Sequence, residues 1–330
     1  MNFAEVEKIA GAILYEGYIL YPYRKTAIKN RQRWNFGTLY PRVYAEAQMP
    51  EEPFRFVAEC LVEASSEPMT LDVKIQFLQL LHQPSEASAG IADRTHELSD
   101  PSLGWEEAIE RTAECKGIRL DELASRPMTA RLQLETSTAP SDQRIPATPE
   151  IDVVLTLAVE VFSTEVRKIR LELVNATPLS SGMNAKREEA LPFSFVSAHA
   201  LLGLDGGEFV SLFDPGEGYA KAAEGCKNVG VFPVLAGLEP DRTMILFSPI
   251  ILYDYPKIAP ESEGDFFDGT EMDEMLTLRV LTLTDAEKQE MRDGDPRARR
   301  ILERTESLTA ETMMKAHGTI RSMREIRRDA

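Results

Sequence analysis

From Leu71 to Phe77 the side chains alternate strictly, with Leu71, Val73, Ile75 and Phe77 apolar and Asp72, Lys74 and Gln76 polar between them. A period of two belongs to a strand that turns one face to a core and the other to solvent. A helix would spread the same residues around its circumference. The pattern returns at 166–174, where Ile169, Leu171 and Leu173 oppose Lys168, Arg170 and Glu172, shortly after the β-branched run 151–162. The short connection Ser163–Glu165 predicts that these two segments form an antiparallel hairpin. Apolar runs at 54–63, 208–213, 229–235 and 243–252 predict further strands, with Pro233 and Pro249 confined to edges or bulges. Strands do not alternate with helical patterns along the chain, so a doubly wound parallel sheet is not expected.

Helices are predicted only at the ends. Phe3, Val6, Ile9, Ala10, Ile13, Leu14 and Gly17 fall at helical spacing, with Glu5 and Glu7 at the favourable amino-terminal pole. That helix is expected to run to about residue 20 and stop before Pro22. Near the other end, Thr284-Asp-Ala-Glu287 has the form of a capping box. Asp295-Pro296 opens a second helix, and Thr309 caps a third running to about Arg324. The stretches 83–104 and 136–150, rich in Pro, Ser, Thr and Ala, read as linkers or long surface loops. The expected architecture is α+β: an amino-terminal helix with an aromatic arm (1–50), a largely antiparallel, sandwich-like β core (51–254), and an acidic turn with carboxy-terminal helices (255–330).

Charge narrows the function classes. With 54 Asp and Glu against 37 Lys and Arg, the chain carries a formal −17. Long-range repulsion opposes nucleic acid and anionic bilayers as general partners, and no apolar run approaches the length of a membrane span. Acids ahead of the first apolar stretch are the wrong charge for a secretory signal. Three dispersed cysteines, Cys60, Cys115 and Cys226, without a CxxC pair, point to the reducing cytoplasm.

Against that acidic background, residues 17–45 contain no Asp or Glu. They interleave Arg24, Lys25, Lys29, Arg31, Arg33 and Arg42 with Tyr18, Tyr21, Tyr23, Trp34, Phe36, Tyr40 and Tyr44. Arg, Tyr and Trp predominate at the energetic centres of protein interfaces. Tyr21, Tyr23, Arg24, Arg31, Arg33 and Trp34 are therefore the expected partner-binding residues. The same composition suits two other roles: aromatics packing the amino-terminal helix on the strands while the arginines pair with acids, or stacking on nucleic-acid bases.

Catalytic signatures are weak. Glu261, Glu263, Asp265, Asp268, Glu271, Asp273 and Glu274 have the density to hold a hard cation but not the spacing of an EF-hand, and they also read as a solvated turn feeding a helix. His82, His96, His199 and His317 show no zinc-site spacing. His199 alone lies in an apolar segment, where a hydrogen-bonded core histidine is the ordinary occupant. Nucleophile-elbow, dinucleotide-binding and phosphate-loop patterns do not occur. Lysines flank Cys226, an arrangement that lowers a thiol pKa, although a structural thiol accounts for it equally. No catalytic residue, metal or cofactor is assigned.

The segments 13–41 (ILYEGYILYPYRKTAIKNRQRWNFGTLYP), 194–215 and 248–292 resemble an uncharacterised bacterial protein family encoded near nickel–iron hydrogenase gene clusters. The resemblance implies a context of assembly, maturation or docking, with a hydrogenase subunit or maturation factor as the protein partner. Delivery factors for nickel or iron present clustered Cys or His ligands; the scattered ones here point instead to a non-enzymatic adaptor or chaperone. The alternatives are a metal-assisted hydrolase using the 261–274 carboxylates with His199, or a structural subunit of a larger complex.

Overall fold

The segments that alternate in the sequence are strands of two antiparallel sheets in the computed structural model, which describes residues 3–18, 21–24, 35–66, 68–81, 108–136, 148–258, 273–294 and 296–308. In chain order the strands are β1 (Arg55–Ala64), β2 (Thr70–Leu80), β3 (Ala108–Arg119), β4 (Met128–Leu134), β5 (Ile151–Val161), β6 (Val166–Asn175), β7 (Val196–Asp205), β8 (Gly207–Val210), β9 (Phe232–Leu235) and β10 (Met244–Ser248). Helices are α1 (Ala4–Leu14), α2 (Arg42–Ala45), α3 (Leu120–Ser125), α4 (Arg187–Ala190), α5 (Ala220–Glu224), α6 (Asp273–Leu281), α7 (Asp285–Asp293) and α8 (Pro296–Ser307). The class is α+β, as expected. The linker segment 83–104 and the helix expected from Thr309 lie outside the described residues, as does most of 136–150.

The chain forms two compact units. Met1–Glu16 and Trp34–Lys257 make the first; Gly17–Arg33 and Ile258–Ala330 make the second. In the first, one sheet runs β4-β5-β6-β1-β8 and the other β3-β2-β7-β10-β9. Between them lies the core. Phe56, Ala58, Cys60 and Val62 of β1 and Ile169, Leu171 and Leu173 of β6 meet Leu71, Val73, Ile75 and Phe77 of β2. The predicted hairpin is β5–β6, paired from Val153↔Asn175 to Val161↔Arg167. Helix α1 covers the outer face of the second sheet. Phe3, Val6, Ala10 and Ile13 pack on Leu201, Val234 and Leu246, and Glu7 pairs with Lys74. The helix is shorter than its periodicity implied, because the backbone turns off at Gly17, which adopts φ +70°, a conformation open to glycine.

Three strands were not among those predicted. β3 and β4 are sheet edges: β3 is largely exposed and rich in charge, a common protection against edge-to-edge pairing, while β4 alternates half-buried Met128, Ala130, Leu132 and Leu134 with exposed Thr129, Arg131 and Gln133. β7 is buried from Val196 to Leu204 on both faces, the inner one in the core and the outer one largely under α1, so nothing forces polar residues to alternate. β9 is an edge strand containing Pro233, as expected. The Leu235 N–H and C=O both turn away from β10, toward Asp254 and Tyr255. Pro233, two residues earlier, faces the same way and has no N–H to offer there.

In the second unit α6, α7 and α8 enclose Leu276, Val280, Met291, Ala298, Ile301 and Leu302. The capping box forms as read: Thr284 Oγ accepts the Glu287 N–H, and the Glu287 carboxylate accepts the Thr284 N–H. Onto these helices folds the start of the basic and aromatic arm. Tyr18 and Tyr23 are buried. The Arg297 guanidinium lies 4.7 Å from the Tyr18 ring centroid, and that of Arg279 lies 5.4 Å from the Tyr21 ring.

Gly37 supplies a test of the first unit. It sits at φ +51°, and a β-carbon there would stand 2.6 Å from Pro249 Cβ. Its carbonyl accepts the Ala198 N–H at 3.0 Å, so it cannot move away freely. Gly37→Ala is expected to destabilise by about 1–3 kcal/mol, whereas Gly11→Ala, inside α1 with nothing within 4 Å of the added carbon, stabilises by about 0.5–1 kcal/mol. Urea denaturation of the two variants checks the contrast.

Candidate interaction surface

Of the six residues expected to bind a partner, Tyr21, Tyr23 and Arg24 are described and fold inward within the second unit. Tyr21 and Tyr23 pack edge to face, 6.1 Å between centroids. The Arg24 guanidinium meets Glu287 at 3.1 Å and Glu290 at 3.6 Å. This is the internal role that the composition also suited, with helices in place of the strand core. Arg31, Arg33 and Trp34 lie outside the described residues, as do the carboxylates 261–271.

His199, named with the 261–274 carboxylates in the hydrolase alternative, is fully buried on the outer face of β7. Its Nδ1 lies 2.9 Å from the Ser197 carbonyl oxygen, which places the proton of the neutral ring there. Nε2 makes no hydrogen bond, nor does Oε1 of Gln76, its partner in the β2–β7 register. Burial pushes the ring pKa down to about 4, with the Ser197 carbonyl opposing. Burial, and after it the neighbouring Glu59 carboxylate, pushes the Cys226 thiol up to about 11. It is a protonated structural thiol.

The exposed feature that stands apart lies where the two sheets' edges approach each other. After β8, Ser211 begins a tight turn: its Oγ accepts the N–H of Phe213 at 3.1 Å and of Asp214 at 2.9 Å. The same hydroxyl donates to Asp254 Oδ2 at 2.5 Å. Asp254 Oδ1 in turn accepts the Leu235 N–H of β9 at 2.8 Å, and Tyr255 N–H donates to the Leu235 carbonyl at 2.7 Å. One carboxylate thus joins the end of β8 in the first sheet to the end of β9 in the second.

Approaching Asp254, the chain alternates. Ile250 and Leu252 pack on the cluster beneath α1, so Ile251 and Tyr253 turn outward, 77% and 75% exposed. Phe213, 69% exposed, meets the Tyr253 ring edge-on at 5.4 Å. Tyr255 is held at φ +55°, a region costly for an aromatic residue and often found beside functional sites. Burial raises its phenol pKa; Asp254, Glu239 and Asp241 add to the rise while Arg242 opposes it.

The far end of the loop is sewn to the first sheet by Glu59, a buried carboxylate on the outer face of β1. Oε1 accepts from Arg170 at 2.7 Å and Oε2 from the Lys227 N–H at 2.7 Å. Asn228 exchanges bonds with the Glu59 backbone at 2.8 and 3.2 Å, and Val229 pairs with Val57. Burial alone would raise the Glu59 pKa, but the Lys227 N–H and the Arg170 and Lys168 charges hold it below the usual carboxylate value.

In sequence, neither ring gave a signal of its own: Phe213 ended the run 208–213, which read as a strand, and Tyr253 directly followed the run 243–252. Among the described residues, no three His, Cys, Asp or Glu side chains gather as metal ligands, and no helix is long and apolar enough to cross a membrane. No protein-family model matches the chain, and no curated protein matches it.

The depressed His199 pKa yields a signed prediction. The unfolded ring binds its proton near pH 6.5 and the folded one only near 4, so stability is complete above pH 6.5 and falls with pH through that window. The loss reaches roughly 3 kcal/mol at pH 4. His199→Leu removes this component, and denaturation midpoints of the two proteins between pH 4 and 7 should show the difference.

Proposed function

We propose that this chain is a non-enzymatic docking protein that presents Phe213, Ile251 and Tyr253 to a protein partner. The observation that carries the reading is the exposed edge-to-face aromatic pair held by the Asp254 bridge. Apolar side chains exposed together and fixed in place are the form of an interface centre. A loop tied at both ends keeps the rings in position before a partner arrives, which reduces the ordering cost of association. The resemblance of 13–41, 194–215 and 248–292 to a hydrogenase-associated family supplies the candidate partner, a hydrogenase subunit or maturation factor, and the second and third of these segments contain the two rings. Tyr21, Tyr23 and Arg24 are left out of the proposed contact because they are already engaged within the second unit.

The test is co-purification of nickel–iron hydrogenase subunits with the tagged full-length chain. Phe213→Ala with Tyr253→Ala is expected to lower recovery about tenfold or more, as for the loss of two anchor side chains. Both rings are largely exposed, so the thermal midpoint stays within about 2 °C. Undiminished recovery with the double variant rejects the surface.

A further inference from the structure

The sheet edges of the first unit are unequally protected. At β8 the Phe209 N–H donates to the Arg242 carbonyl at 2.7 Å. At β9 Pro233 has no N–H, and Leu235 turns both backbone groups to Asp254 and Tyr255. β3 carries Glu110, Arg111, Glu114, Lys116 and Arg119 along its length. β4 has seven residues, no proline or glycine, and a single charge, Arg131. Asp152 neutralises that charge, accepting from Arg131 Nε at 3.1 Å. An edge of this kind is a template for another strand.

The backbone groups it offers follow from the register. The Asp152 N–H donates to Thr177 Oγ1 at 3.0 Å and its carbonyl accepts the Ala176 N–H at 3.0 Å, so both point away from β4. Gln133, opposite Asp152 in the β4–β5 ladder, therefore belongs to a non-hydrogen-bonded pair and turns its own N–H and C=O outward. By the period of two, Arg131 and Thr129 do the same. Among the described residues, β4 pairs with no strand on that side. The open edge ends at Glu135, whose carbonyl accepts the Arg111 guanidinium at 2.6 Å.

We infer that the strand received at β4 is β4 of a second copy of this chain, antiparallel about a two-fold axis at Leu132, so that the two five-stranded sheets join edge to edge. A two-fold axis presents one edge to itself, and three alignments bring the outward groups together. One sets Arg131 against Arg131 of the other copy, like charges directly opposite. Another sets Gln133 against Pro127, which has no N–H to give. The third sets Arg131 against Gln133 and Gln133 against Arg131, each pair exchanging two backbone hydrogen bonds. It also brings Leu132 opposite Leu132 and Ala130 opposite Leu134, which covers the half-buried apolar row. The pairing is independent of the docking surface, because β8 and the Phe213 turn lie at the opposite edge of that sheet. Each copy carries −17, so salt, which screens that repulsion and leaves an uncharged ladder intact, strengthens the contact.

Sedimentation equilibrium of the full chain is expected to show a reversible dimer with a micromolar Kd, in keeping with a small interface, tighter in about 0.3 M than in about 0.03 M salt. Gln133→Pro removes an outward N–H that β5 does not use and is expected to weaken the dimer about tenfold or more. Leu132→Cys reports on the alignment independently and decides the question if Gln133→Pro does not fold. Opposed β-carbons of a non-hydrogen-bonded pair lie about 4.5 Å apart, near enough for a disulfide. Mild oxidation is therefore expected to cross-link Leu132→Cys into dimers several-fold more than Ala130→Cys or the unsubstituted chain with its Cys60, Cys115 and Cys226. A chain that stays monomeric throughout overturns the inference. So does a dimer that Leu132→Cys fails to cross-link, that a folded Gln133→Pro leaves unweakened, or that Phe213→Ala/Tyr253→Ala dissolves, since the contact would then lie elsewhere.

Discussion

The Asp254 carboxylate is the tie on which the candidate surface depends. Each sheet has an edge at this end of the sandwich, and an uncovered edge leaves backbone donors and acceptors without partners. Asp254 takes the Leu235 N–H with one oxygen and the Ser211 hydroxyl with the other, so a single side chain closes β9 and fixes the turn that follows β8. Ser211 can join because its Oγ, already accepting two backbone N–H groups, still has its own proton to give. A hydrogen bond to a charged acceptor is also stronger than a neutral one. An asparagine here would keep the Leu235 bond but lose charge at the second oxygen position, weakening the link between the sheets more than the cap on β9.

Basic and aromatic residues, which the amino-terminal arm concentrates, are used internally wherever they are described. Arg297 over Tyr18, Arg279 over Tyr21, and Arg42 and Arg55 around Phe54 are variations of one contact. A guanidinium can lie flat on a ring while its edge still donates to a carboxylate. In an acidic chain such contacts let arginine serve packing and charge balance together. An acid-free, ring-rich segment therefore does not by itself identify an external contact, because the segment's acids can be supplied by distant sequence, as Glu287 and Glu290 are for Arg24.

The fold was legible where one face of an element meets solvent. Leu71–Phe77 and Ile169–Leu173 had to alternate because Asp72, Lys74, Lys168 and Arg170 lie on outer faces, and the hairpin between β5 and β6 followed from the short connection. β7 escaped because burial on both faces erases the period, and β3 because an edge strand contributes few apolar residues. The run 243–252 was read as a single strand although β10 ends at Ser248. Beyond it the chain keeps an apolar alternation without a strand's pairing, since Ile250 and Leu252 face the cluster beneath α1. The candidate surface was not legible, because it is built from long-range contacts: Ser211 and Asp254 are 43 residues apart, and exposure of Phe213 depends on a turn that composition does not specify.

Rigidity separates this surface from an ordinary mobile loop. From Ser211 the chain leaves the first sheet and returns to it at Lys227–Val229, and both departures are anchored by carboxylates, Asp254 at one and Glu59 at the other. Glu59 is the more demanding, since a buried charge is tolerated only when its oxygens are occupied. Here the Lys227 N–H and the Arg170 guanidinium occupy them. That condition reverses the usual dependence of loop on scaffold. If the 227–228 segment lifted away, Glu59 would lose the N–H bond that holds its charge in place, so the first sheet itself favours the seated loop. A surface loop stabilised from beneath by a charge that needs it has little freedom to lose on binding, and Phe213 inherits that order from a residue on the opposite end of the loop.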